Sequence, residues 1–166
     1  GDREITENDA PGDDFLVRVC SNWEAEALRA GKSGIRVVLL RFGSVLGADG
    51  GAFPLLRKTF SFMLGARLGN GKQWFPWLHI DDAAGIILKA LKDKKMSGPY
   101  NCSAPGLITN REFTGSMKEK TGRPQPVPFV PVFMLRLLFG EFGVFLAGGQ
   151  RMVPARLSEV KYNFRF

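Results

Sequence analysis

His79 is the only imidazole in this 166-residue chain. It stands in a stretch crowded with aromatic and acidic side chains, Gln73-Trp74-Phe75-Pro76-Trp77-Leu78-His79-Ile80-Asp81-Asp82. Any acid/base step near neutral pH within this chain has to use His79 or a carboxylate. Trp74 and Trp77 offer an apolar wall, and Ser44, in Phe42-Gly43-Ser44-Val45, offers a hydroxyl that can orient a ligand. Cys20 is the other candidate, with Glu24 one helical turn on. A carboxylate at that spacing disfavours the thiolate, so Cys20 is a poor nucleophile and reads as a small core residue. Plain structural readings stand beside the chemical ones elsewhere too. The aromatics suit a core, His79 suits a backbone carbonyl partner, and Phe42 to Val45 suits a strand-to-loop turn.

The elements around these residues bring them to one place. Gly69-Asn70-Gly71 is a turn, and Pro76 implies an edge or a bulge in the following strand. Ala83 to Leu91 has helical spacing, and Asp81 or Asp82 is placed to cap that helix. Upstream, Gly1 to Gly12 reads as a loop. Asp13 and Asp14 cap a helix whose Leu16, Cys20, Trp23 and Ala27 share a face that packs. Ile35 to Phe42 is a continuous apolar run, the pattern of a buried parallel strand. Gly50-Gly51 leads to a helix from about Phe53 to Leu64. Downstream, Gly98 to Ser103 is a short strand, Asn110 caps a helix to about Lys120, and Pro126, Pro128 and Pro131 make an extended connector. Phe133 to Phe139 is a short apolar helix, and Tyr162 to Phe166 a short strand. Strands alternating with helices imply an α/β sheet with crossovers. Both candidate segments lie at strand ends, so a pocket bounded by Gly43 and Ser44 on one side and by Trp74, Trp77 and His79 on the other is expected.

Composition narrows the partners. The net charge is +7, but basic and acidic residues are interspersed, and Lys89 to Lys95 is the solvated end of one helix. No nucleic-acid partner is expected. One His and two distant Cys give no zinc spacing and no disulfide framework, so neither is expected. The compartment is therefore expected to be reducing: cytoplasm, organelle stroma or matrix. Gly1-Asp2-Arg3-Glu4 is too polar for a signal peptide. Val130 to Gly149 is apolar but broken by Arg136, Glu141, Pro131 and glycines, so no membrane span is expected.

Gly69-Asn70-Gly71, then Trp77-Leu78-His79-Ile80-Asp81-Asp82 and a helix, resemble the Gly-x-Gly turn and Trp-x-His-Val-Asp-Asp run of extended short-chain dehydrogenases/reductases, the epimerase/dehydratase group. Thr6-Glu7 and Pro11 resemble that group's Thr-Glu-x-x-x-Pro run. Leu146 to Leu157 resembles the small extra C-terminal domain of an atypical subgroup. The resemblance implies the C-terminal half of a Rossmann-like doubly wound parallel sheet with a small appendage. Residues 1–125 would be the substrate-side part of an NAD(P)-binding domain, and 126–166 the small C-terminal domain. It also implies that Phe42, Gly43, Ser44 and Val45 lie beside the nicotinamide, and that His79 is as much a structural link to the loop before Asp81 as a reactive group. Trp74, Trp77 and His79 are the substrate-binding candidates by their place in the expected pocket. Tyr100-Asn101 resembles a Tyr-Asn that is mostly structural in the group, and Arg151 and Arg156 are assigned no chemistry.

Three departures qualify this. No Gly-x-Gly-x-x-Gly turn follows a strand; Gly47-Ala48-Asp49-Gly50-Gly51 follows a late one. NAD(P) is thus expected in the intact protein and no cofactor on this chain alone. Cys20 and Glu24 take the register of the group's Tyr-x-x-x-Lys pair, which puts ordinary redox catalysis in doubt. Gln73 to Pro76 carries no Arg for a substrate phosphate, so an apolar or aromatic small molecule is favoured over a nucleotide sugar. The expected function is part of an atypical NAD(P)-dependent epimerase/dehydratase-like reductase, inactive alone. The rival is a non-enzymatic scaffold or assembly subunit on a degenerate reductase fold. Either needs the missing N-terminal half or a partner subunit to cover open sheet edges and apolar surface.

Overall fold

The computed structural model describes residues 2–141, 143 and 147–166. Leu146, at the start of the tail segment singled out above, lies outside the described residues. At the centre are two parallel pairings. β2 (Val38–Phe42) runs beside β7 (Gly98–Cys102), with Val38 opposite Gly98 and Phe42 opposite Cys102. β3 (Ser44–Leu46) runs beside β6 (Trp77–His79), with Ser44 opposite Trp77 and Leu46 opposite His79. The crossover between β6 and β7 is helix α3 (Ile80–Lys92). Its Ala83, Ile86 and Ala90 recur at helical spacing and are buried, which is why this helix lies on the sheet. Leu78, Met96, Tyr100 and Leu157 join them in the main core, with Val38 and Leu40 packed alongside. Arg36 closes the C-terminal end of α3, donating to the carbonyls of Ala90 at 2.8 Å and Leu91 at 3.2 Å.

A second, smaller core forms between α2 (Ala52–Ser61) and α4 (Asn110–Thr121) around Phe60, Phe113 and Met117. β5 (Trp74–Phe75) reaches it by pairing antiparallel with β8 (Ile108–Thr109). The Phe75 and Phe113 rings then lie 4.4 Å apart. Pro76 separates β5 from β6, as its missing N–H requires.

The last forty residues thread back through what precedes them. β9 (Phe129–Val130) pairs with β4 (Arg67–Leu68), and helix α5 (Val132–Phe139) follows it. β10 (Arg151–Met152) pairs with β1 (Glu4–Ile5). α6 (Ala155–Glu159) sets Leu157 fully buried in the main core.

Several expectations are corrected. Residues 1–12 are not all loop, because β1 forms there. Helix α1 (Phe15–Arg29) has the Asp14 cap, accepting from the Val17 N–H at 2.9 Å. However, its Leu16, Cys20, Trp23 and Ala27 stripe faces solvent, with Trp23 71% exposed. The bidentate pair of Glu24 with Arg41 on β2, at 2.7 and 2.6 Å, turns the adjacent Val17, Ser21 and Glu24 stripe inward instead. The strand predicted from Ile35 begins only at Val38 and is half-buried, because one of its edges has no partner among the described residues. The cap of α3 is His79, not Asp81 or Asp82. The cap of α4 is Thr109 in a capping box with Glu112, while Asn110 turns its Oδ1 to the Leu68 N–H at 2.9 Å. Tyr162 to Phe166 is not a strand; the main chain of Arg165 and Phe166 donates to a buried carboxylate, that of Asp82.

Candidate functional site

Gly43 is the point at which one extended segment changes partners. Its N–H donates to the Cys102 carbonyl at 3.0 Å, and the next N–H, Ser44, donates to the Pro76 carbonyl at 2.8 Å. A Cβ at position 43 would lie 2.7 Å from the Pro76 oxygen. The close approach that glycine permits here is therefore to the Pro76 main chain. In parallel register, opposite residues share a face. Ser44, Trp77, Leu46 and His79 thus lie on one side, and Val45 and the fully buried Leu78 on the other. Ser44 is exposed, and its hydroxyl has no partner among the described residues. Trp77 is tethered by its indole N–H to the Gly106 carbonyl at 3.2 Å.

His79 is occupied on two sides. Its Nδ1 accepts the Asp81 N–H at 3.2 Å, which places the neutral ring's proton on Nε2. Its ring stacks on Phe166, with centroids 3.7 Å apart. Asp82, fully buried beside it, accepts from the main-chain N–H groups of Arg165 at 3.0 Å and Phe166 at 3.2 Å, and from the Tyr162 hydroxyl at 3.3 Å. Burial, then the Asp82 charge, raise the pKa of the Tyr162 phenol.

Trp74 stands elsewhere. Its indole N–H donates to Asp2 Oδ1 at 3.2 Å, and the Arg151 guanidinium lies 5.0 Å from its ring centroid. It lines two clefts. One, of about 280 Å³, also has Asp2, Gly71, Lys72, Thr109 and Arg111. The other, of about 320 Å³, has Asp2, Asn70, Lys72, Gln73 and Gly149. Ser44, Trp77 and His79 line neither. The structure thus groups Gly43, Ser44, Trp77 and His79 at one strand pair and sets Trp74 in separate clefts.

Cys20 is exposed, not a core residue. Glu24 turns to Arg41, whose hydrogen bonds hold the Glu24 carboxyl below its ordinary pKa, while the partial burial of Glu24 opposes them. Cys102 is the buried thiol, its pKa pushed up to about 12 by burial and by the charge of Glu7. Sequence reasoning did not single out Lys72 or Arg111, and it named Glu7 only as part of a motif, not as a buried carboxylate. Glu7 Oε1 accepts the N–H groups of Asn101 at 2.9 Å and Arg156 at 3.3 Å. Arg111 carried a signal: a cation in the first turn of α4 opposes the helix dipole. No three His, Cys, Asp or Glu among the described residues gather where a metal could bind. No helix of the described residues is long and apolar enough to cross a membrane.

Comparison with known proteins places this geometry. Residues 16–103 match the NAD dependent epimerase/dehydratase family, and residues 130–166 match a domain of unknown function, DUF1731. An epimerase family protein of Mycobacterium leprae is 39% identical over 166 residues, spanning 98% of this chain and 53% of that protein. The chloroplastic SDR39U1 homolog of Arabidopsis thaliana is 38% identical over 160 residues, spanning 96% of this chain and 46% of that protein. The crystal structure of human epimerase family protein SDR39U1 with NADPH superposes with a TM-score of 0.92 at 35% identity, covering 99% of this chain and 56% of that one. The chain thus spans about half the length of the curated relatives it matches.

Proposed function

The chain belongs to the NAD dependent epimerase/dehydratase family, and from that premise we propose that it forms the substrate-side half of an NAD(P)-binding reductase of the SDR39U1 type. The observation that carries this is the superposition of almost the whole chain on a relative whose crystal structure holds NADPH. In this reading residues 1–125 complete the NAD(P)-binding domain and 126–166 form its small C-terminal domain.

The residues of the β3–β6 pair fit a nicotinamide. The exposed Ser44 hydroxyl is free for a carboxamide, and Phe42 is exposed beside it. Bound nicotinamide supplies hydride transfer. Ser44 and the Phe42 to Val45 main chain orient it. Trp77, held by Gly106, excludes water beside it, and His79 fixes the start of α3. Trp74 receives the substrate. Cys20 and Glu24 take no part in the chemistry, and this chain alone neither holds the cofactor tightly nor turns over. The exposed α1 stripe favours a second reading, an assembly subunit.

Calorimetry with NADPH tests the proposal. The full-length protein should bind, and residues 1–166 alone should bind more weakly than about 10 μM, some 7 kcal/mol. Ser44→Ala in the full-length protein should weaken NADPH several-fold. A full-length protein that does not bind NADPH overturns the reading and favours the assembly subunit.

A further inference from the structure

We propose that the clefts flanking Trp74 form a binding site for a small planar molecule carrying an anionic group, the ring lying on Trp74 and the anion between Lys72 and Arg111. This deepens the reading above, on which it rests for the identity of the ligand as substrate.

Four observations converge. First, the residues before Trp77 lack an arginine in sequence, yet the fold gathers cations there. Lys72 and Arg111 both line the cleft of about 280 Å³, and neither forms an ion pair or side-chain hydrogen bond among the described residues. Asp2 is the acid that lines both clefts, and it is engaged by the Trp74 indole N–H. Glu112 is held by the N–H and hydroxyl of Thr109, and Glu4 pairs with Arg151. The Asp2 charge remains, so the cleft of about 280 Å³ is lined by two cations and one carboxylate, a net positive balance.

Second, the backbone brings the two cation-bearing residues to one turn. Gly71 has φ 72°, and a Cβ there would collide with the Arg67 side chain. The Gly71 carbonyl accepts the Arg111 N–H at 2.9 Å, and Asn70 Oδ1 accepts the Lys72 N–H at 2.8 Å. One turn thereby holds the main chain of both residues. Third, Arg111 sits in the first turn of α4, where a cation opposes the helix dipole. An incoming anion would relieve that conflict. Fourth, Trp74 is braced. Arg151 lies over its ring, and Gly149 crosses its main chain so closely that a Cβ would meet the Trp74 carbonyl. A braced aromatic wall with a few convergent polar groups is the anatomy of a small-molecule site, and the two volumes, about 280 and 320 Å³, fall just below and just inside its small end.

The test uses the full-length protein, with 2-naphthoate and its neutral analogue 2-naphthamide as probes in calorimetry. The acid should bind about tenfold tighter than the amide, since two exposed cation contacts compound to roughly that factor. Lys72→Gln with Arg111→Gln should erase the preference while melting temperature and NADPH affinity stay unchanged. Trp74→Ala should weaken both probes about equally. Equal binding of acid and amide, no binding of either at millimolar concentration, or a preference that survives the double substitution overturns the proposal. So does displacement of the acid by NADPH, which would assign the anion site to the cofactor. A protein that binds no NADPH but keeps the preference for the acid overturns the cofactor reading and upholds the cleft.

Discussion

The main-chain N–H of Arg165 meets the carboxylate of Asp82 at 3.0 Å across 83 residues of sequence. The N–H of Phe166 and the Tyr162 hydroxyl close on the same buried group. Gly85, one turn on in α3, makes room, since a Cβ there would meet the Tyr162 oxygen. Asp82→Ala strands these donors in the interior and should cost about 3–5 kcal/mol in urea unfolding of the full-length protein. Tyr162→Phe removes one neutral donor and should cost about 1 kcal/mol. Equal small losses would show that the tail is not anchored there.

Glu24 and Arg41 fix the rotation of α1 on the sheet. Glu24→Gln should lower stability by about 1–2 kcal/mol, the scale of a charge-assisted pair at partial exposure. Because Arg41 depresses the folded-state pKa of Glu24 below its ordinary value of 4.5, the contribution is complete above that value. It is lost as pH falls through the folded value. The stability gap between native protein and Glu24→Gln should therefore close on acidification, and a gap independent of pH would exclude the pair.

The two thiols should separate cleanly. Cys20 is exposed, whereas Cys102 is buried with its pKa raised to about 12. Iodoacetamide on the native chain at pH 8 should add one adduct, at Cys20, by peptide mass. Urea should expose the second. Two adducts under native conditions would mean that β7 opens far more readily than its place in the core implies.

Gly43→Ala forces a methyl against the Pro76 carbonyl, 2.7 Å from where the Cβ would lie. It should cost about 1–3 kcal/mol, as overpacking does. In the full-length protein NADPH affinity should fall with it, because Ser44 is carried by the same crossing. A stable variant with unchanged affinity would detach Ser44 from the cofactor.

What was legible in the sequence followed short-range rules. The Asp14 cap, the α3 face of Ala83, Ile86 and Ala90, the parallel strand ending at Phe42 and the α5 helix all come from local spacing. The family resemblance was likewise carried by contiguous motifs. The misses arose where a long-range partner overrode a local preference. Asp82 reads as a cap, but residues eighty positions away claim its carboxylate, and His79 caps instead. Leu16, Cys20, Trp23 and Ala27 read as a packing face, but Arg41 pulls a neighbouring stripe inward. Around Trp74, Lys72 and Arg111 share a cleft once β5 pairs with β8, and Arg151 reaches the Trp74 ring once the tail returns, so no contiguous motif announced the grouping.

The return of the tail also dictates an order of events during synthesis. Leu157 fills the same core as Leu78 and Ile86, and among the described residues β1 finds its partner in Arg151 and Met152. A nascent chain elongates at about 5–20 residues per second. Throughout the passage from α3 to α6, the ribosome therefore displays a sheet whose interior is open to solvent. This region cannot close vectorially, domain edge first. It waits for Arg151, Met152 and Leu157 to emerge before its pairing and core are complete.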